Sequence, residues 1–143
     1  MEKLIQMTDI RKEYKMGDEI VYANDGVNLD IDKGEFVEIV GKSGSGQSTL
    51  MNIIGALDVP TSGKYLLGGK DVGKLSDNQL ADIRNKMIGF VFQQYNLLPR
   101  MNLLENVELP LLYAHVSNHE REKRAMEALE KVGLAEKAKQ MPN

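Results

Sequence analysis

The sequence predicts an α/β fold in which a glycine-rich loop joins a buried strand to a helix, with strands gathered early in the chain and helices late. Residues 36–40, Phe-Val-Glu-Ile-Val, form a short β-branched run of the kind that becomes a buried strand, and they lead directly into the glycine-rich stretch 41–49. From Ser48 onward Leu50, Ile53, Ile54 and Leu57 recur at helical spacing, until Pro60 confines its predecessor to extended backbone. Composition shifts from strand-rich before residue 72 to helix-rich after it.

Upstream of the loop, residues 4–14 and 21–31 read as two strands of a small antiparallel sheet, separated by a polar stretch containing Gly17. Lys33 and Gly34 turn the chain into the 36–40 run. Residues 63–72 are a further strand-like passage with a turn at Gly68 and Gly69, after which Ser76 caps a helix running to about Lys86. Residues 88–92 supply a second buried-strand candidate. Residues 102–115 and 118–132 are helical in pattern. The latter carries Ala125, Leu129 and Val132 on one face and Glu120, Arg121, Lys123 and Arg124 opposite, and Gly133 is its stop signal. No internal repeat or low-complexity segment is present.

At 143 residues, with 42% apolar and 27% charged residues, the chain suits one soluble globular domain. Eighteen basic against 21 acidic residues leave a formal charge of -3, so no overall basic field argues for nucleic acid or anionic lipid. There is no cysteine, which removes disulfide and thiolate metal chemistry. The first residues lack the basic and then apolar pattern of a secretory signal, and no stretch approaches the roughly 20 apolar residues that span a bilayer. A cytoplasmic protein, peripheral in any membrane role, is expected.

Residues 41–49, Gly-Lys-Ser-Gly-Ser-Gly-Gln-Ser-Thr, fit the phosphate-loop spacing G-x-x-x-x-G-K-[ST] at every defined position except one. Gln47 stands where the lysine belongs. A loop leaving a strand and entering a helix aims successive backbone N–H groups at a polyanion, and the helix dipole adds partial positive charge. Ser43, Gly44, Ser45, Gly46, Gln47, Ser48 and Thr49 are therefore candidate nucleotide contacts, with the Ser48 hydroxyl also a ligand for Mg²⁺ and Thr49 a donor to an inner phosphate. Lysine at this point lies along the outer phosphates as a charge, and glutamine is neutral. A lost charge-assisted hydrogen bond of roughly 1.5 to 3 kcal/mol lowers nucleotide affinity by about one to two orders of magnitude. Phosphoryl transfer loses about 10²- to 10³-fold in rate. Lys42 lies within the loop rather than at the helix start and reads as a solvated side chain.

Further passages extend the pattern: Tyr14-Lys-Met-Gly, Gly34-Glu-Phe-Val, Asn52-Ile-Ile-Gly, Asp58-Val-Pro-Thr-Ser-Gly, Ile88-Gly-Phe-Val-Phe-Gln-Gln-Tyr-Asn-Leu-Leu-Pro and Leu104-Glu-Asn-Val-Glu-Leu-Pro-Leu. Together with the loop they resemble the ATP-binding cassette (ABC) transporter ATPases, in the branch that powers lipoprotein release, macrolide export and antimicrobial-peptide resistance. The likeness covers nearly the whole chain. It implies an incomplete P-loop NTPase core of ABC type with an N-terminal antiparallel β subdomain, over residues 1–94, and the start of a helical subdomain over 95–143. It implies ATP and Mg²⁺ as cofactors, Tyr14 as the aromatic that stacks on adenine, and Gln93 as the catalytic-site glutamine that meets Mg²⁺ or the attacking water. Transmembrane permease subunits and a second nucleotide-binding domain, as a homodimer, are the implied partners, on the cytoplasmic face of the cell membrane, with no nucleic acid. Read without the resemblance, Tyr14 is a half-buried strand-end tyrosine, and Gln93 and Gln94 are ordinary polar residues closing a strand. Leu97, Leu98, Leu103 and Leu104 either face a membrane partner or pack their own subdomain. His115 and His119 match no ligand spacing and are expected in solvent.

ABC ATPases also use a signature segment, a strand ending in Asp then Glu, and a switch histidine, and these are not found in the sequence. The resemblance thus implies the N-terminal part of a longer domain, truncated before the signature, with an open sheet edge and negligible hydrolysis by this chain alone. A non-catalytic nucleotide-binding or regulatory module, and an inert truncated remnant, stand as alternatives.

Overall fold

Long runs of strand-forming residues on either side of Gly17 and Asp18 build the dominant element, a hairpin of β1 (Lys3–Met16) and β2 (Glu19–Asp32). In the computed structural model, which describes residues 2–143, these strands pair antiparallel from Lys3 opposite Asp32 to Met16 opposite Glu19. β3 (Ser62–Leu67) adds to the free side of β1 and β4 (Lys70–Asp71) to β3, giving an all-antiparallel sheet of order β2-β1-β3-β4. The chain divides into two compact units, Met1–Arg84 and Asn85–Asn143.

The first unit also holds α1 (Gln47–Ile54) and most of α2 (Asp77–Met87), within which the division after Arg84 falls. Its buried apolar residues are Met7, Ile10, Leu50, Ile53, Ala56, Tyr65, Leu67, Val72, Leu80 and Ile83. Each fully buried large side chain contributes about 1.5 to 3 kcal/mol, so this set dominates the unit's stability. Leu50 and Ile53 lie three apart on α1, which is the spacing that puts both on one helical face. The helix ends at Gly55 rather than near Pro60, and Leu57, expected to continue its apolar face, is 51% exposed. Ala56 at φ 55 turns the chain out of helical geometry, and its carbonyl accepts from an Arg84 guanidinium nitrogen at 2.6 Å. At the start of α2 the Ser76 hydroxyl accepts from the Gln79 N–H at 3.3 Å while the Gln79 carbonyl accepts from the Ser76 N–H at 2.9 Å, a reciprocal cap.

The second unit contains α3 (Leu103–Tyr113) and α4 (Asn118–Lys131). Asn102 and Glu105 form a capping box at the start of α3. The Leu103 and Leu104 N–H groups donate to the carbonyls of Gln140 and Ala138 at 3.0 and 2.8 Å, so residues after α4 complete the cap. Leu103 and Leu104 are half-buried, whereas Leu97 and Leu98 are exposed. Ala125 and Leu129 of α4 are buried as expected, but Val132 is 67% exposed, since the helix stops at Lys131 and Val132 has left helical backbone. Arg121 is not on a purely solvated face either: it lies 3.6 Å from Glu108 of α3, both side chains largely shielded. His115 and His119 are exposed.

The two buried-strand expectations fail. Residues 36–40 and 88–92 belong to no helix or sheet, with Phe36 98% and Val91 101% exposed. A β-branched run becomes a buried strand only where neighbouring strands accept its backbone groups and layers cover its faces, and among the described residues no strand pairs with either segment. Phe90 and Phe92 instead stack on each other, ring centroids 5.8 Å apart.

Tyr65 joins β3 to the end of α1 by donating its hydroxyl hydrogen to the Ile54 carbonyl at 2.7 Å. Burial pushes its pKa up from 10.0 to about 12. The raised folded-state value means that stability is fully present below pH 10 and is lost as pH rises toward about 12. Tyr65→Phe is expected to cost about 1 kcal/mol at neutral pH through the unsatisfied Ile54 carbonyl. It should also flatten the alkaline decline, and urea titrations of both proteins at neutral and alkaline pH check both effects.

Candidate functional site

The glycine loop forms as a connector even though the run before it is not a strand. Residues 43–46 make turn and bend, and α1 begins at Gln47 with Gly46 as its N-cap. Gly46 sits at φ 88 and supplies no side-chain cap, so the first N–H groups of α1 remain donors for something else. Only glycine fits there, because a Cβ would lie 2.0 Å from the Ala23 carbonyl oxygen of β2 and 2.8 Å from the Asn24 amide nitrogen. At the other end of the loop a Cβ on Gly41 would meet the Ser45 hydroxyl at 2.5 Å and the Gln47 side chain at 3.4 Å. The two ends of the loop therefore lie close together, and a side chain at Gly41 would require the Ser45 hydroxyl to move.

Gln47 is half-buried, and its side-chain amide donates to the Ile39 carbonyl at 3.1 Å. It lies over Gly41 and ties the start of α1 to the segment that enters the loop. Ser43, Gly44, Ser45 and Ser48 are exposed and Thr49 is half-buried, so the hydroxyls of Ser43, Ser45 and Ser48 reach solvent around the uncapped helix end. A cradle of backbone N–H groups with side-chain hydroxyls at its rim is suited to a polyanion. Mg²⁺ bound together with phosphates needs only one or two protein oxygens, and the exposed Ser48 hydroxyl in the first turn of α1 fits that demand.

Two neighbours were missed from sequence. Asn24, in the middle of β2, is buried and donates its side-chain amide to the Gly46 carbonyl at 3.2 Å. The signal was an asparagine inside a strand, where that residue is disfavoured. Lys12 was the other. Its ammonium lies 3.0 Å from Asp58, donates to the Val59 carbonyl at 2.9 Å and stands 5.6 Å from the centroid of the Tyr14 ring. Tyr14 itself is 43% exposed near the end of β1, opposite Val21 of β2. Val21, which pairs with Tyr14, and Asn24, which anchors the loop, are three residues apart on β2. Gln93 and Gln94 are exposed and belong to the second unit, following residues 88–92, which form no element.

A model of the ABC transporter family matches residues 24–143. The chain belongs to the ABC transporter family. It is 53% identical over 140 residues to an uncharacterised ABC transporter ATP-binding protein, YknY of Bacillus subtilis, covering 98% of this chain and 61% of that protein. It is 50% identical to the macrolide export ATP-binding/permease protein MacB of Chlorobaculum tepidum, covering 98% of this chain and 21% of that protein. Among solved structures it matches the ATP-binding cassette MJ0796 in a dimeric post-hydrolysis state bound to ADP and Pi, with TM-score 0.89 and 48% identity over 97% of this chain and 62% of that one. The related MJ0796 protein is from Methanocaldococcus jannaschii. The chain thus spans about three-fifths of the length of the ATP-binding relatives it matches, and its fold is that of an ABC ATPase cassette over that span.

Replacing Gly46 tests the loop's seating directly. Gly46→Ala combines a positive φ with a backbone collision at Ala23, and the strained backbone alone is expected to cost about 1 to 3 kcal/mol. Calorimetric unfolding should show the loss, and an unchanged midpoint would contradict the described contact with β2.

Proposed function

We propose that this chain is the nucleotide-holding part of an ABC transporter ATP-binding subunit, taking the phosphates of Mg-ATP at residues 41–49 and the adenine on Tyr14. The observation that carries this reading is the uncapped start of α1 behind a glycine loop seated on β2. In the role proposed, backbone N–H groups of residues 43–49 other than Ser45, whose N–H donates to the Lys42 carbonyl at 3.0 Å, face the phosphates, Ser48 offers its oxygen to Mg²⁺, and Thr49 donates inward. Tyr14 stacks through its exposed ring. Gln93 serves as the glutamine that senses the outer phosphate. Mg²⁺ supplies charge neutralisation between the phosphates when bound. In the whole protein, two such subunits close on ATP and pass that closure to transmembrane permease subunits at the cytoplasmic face of the membrane, coupling hydrolysis to transport. The ADP and Pi held by the dimeric MJ0796 cassette support both the ligand and the pairing.

Gln47 sets the limits of the activity. With no charge at this position, binding is weakened and hydrolysis impaired. The bond from Gln47 to Ile39 favours a second reading, a module that binds nucleotide without turning it over, since the side chain that should follow the transferred phosphate is engaged with the loop's own backbone. Titration calorimetry with ATP and Mg²⁺ addresses the electrostatic claim. Gln47→Lys is expected to raise affinity about ten- to a hundredfold, and no gain would remove the argument. A full-length protein that keeps Gln47 and hydrolyses ATP as fast as the Gln47→Lys form would refute the predicted impairment.

A further inference from the structure

Asn24 is the one buried polar side chain among the described residues, 5% exposed within a strand. Its Nδ2 donates to the Gly46 carbonyl at 3.2 Å, and its Oδ1 is buried with no hydrogen-bond partner among the described residues. The orientation of the amide follows from chemistry, because a carbonyl oxygen is an acceptor and only the NH₂ end can face it. The same Gly46 carbonyl accepts from the Leu50 N–H at 2.9 Å, the first bond of α1. Two donors from different elements therefore fix one carbonyl.

That carbonyl shares its peptide group with the Gln47 N–H. In a planar trans peptide the C=O and the following N–H point in opposite directions, and there is no cis peptide among the described residues. Holding Gly46 O toward β2 and α1 therefore aims the Gln47 N–H the other way, out of the helix start and into the loop. A leucine at position 24 would be of similar size and would leave no unpaired acceptor, so stability alone gives no reason for asparagine here.

We propose that Asn24 is a positioning residue for phosphate recognition: acting through the Gly46–Gln47 peptide, it holds a backbone donor in line for nucleotides that carry a di- or triphosphate chain. This rests on the nucleotide reading above. A residue that only supports the fold would change stability and all binding together, whereas Asn24 separates the two.

The test is Asn24→Leu in the intact protein, measured by thermal unfolding and by calorimetric titration with ATP, ADP and adenosine. The unfolding midpoint should be equal to or above that of the unmodified protein. Affinity for ATP and ADP should fall about two- to tenfold, the worth of one hydrogen bond, with adenosine unaffected. Unchanged ATP and ADP affinity overturns this inference alone. A lowered midpoint with equal losses for all three ligands also overturns it, making Asn24 structural. No binding of ATP or ADP by the unmodified protein overturns the nucleotide reading and this inference with it. If the variant aggregates, nuclear magnetic resonance of the unmodified protein decides. Slow exchange of the Asn24 side-chain amide protons and a shift on adding ADP support the proposal, and exchange at the solvent rate with no shift overturns it.

Discussion

The contact between Gly46 and β2 is the constraint on which the rest of the site depends. A backbone position with no side chain lies against the Ala23 carbonyl and beneath the Asn24 amide, and this close approach determines where α1 starts. Everything the loop offers a ligand follows from it: the direction of the first N–H groups, the exposure of Ser48, and the half-buried setting of Gln47 and Thr49. The antiparallel sheet is thus the support of the loop, a role that the run 36–40 was expected to fill.

That substitution explains what could be read from the sequence and what could not. β1, β2, the loop, α1, α2 and both late helices were legible because their signals are local: alternation, a turn glycine, apolar residues at helical spacing, and Ser76 or Asn102 at a helix start. Residues 36–40 and 88–92 carry strand composition, but a strand is a property of pairs, and their pairing depends on partners that composition does not name. Val132 failed by a single residue at a helix end, where the periodic signal is weakest. At the site, motif spacing located residues 41–49 because the phosphate-loop geometry is itself local. Asn24 acts from β2, and only the three-dimensional register brings it to the loop, whereas Lys12 reaches Tyr14 as its i+2 neighbour on β1, a same-face spacing present in the sequence itself.

Gln47 gains a meaning that residue type alone does not convey. Read as a sequence, it is a missing charge. In the fold it is also a tie, because its amide bridges the helix start to the Ile39 carbonyl before the loop and packs over Gly41. A lysine ammonium is a strongly hydrated point charge on a flexible stem, whereas the neutral Gln47 side-chain amide donates to one defined carbonyl, that of Ile39. At this point in the loop a neutral internal tie stands where the motif has a charge.

The two-residue turn at Gly17 and Asp18 has a consequence for the order of events in folding. Every rung of the β1 and β2 ladder is closed by the hairpin itself, and hairpins of this kind form within about 1 to 10 μs, far ahead of contacts between distant segments. The surface that receives Gly46 is thus among the earliest parts of the chain to exist, and the loop settles onto a template already in place. Alterations inside the loop then weigh on how fast the native arrangement is lost, and little on how fast it is found.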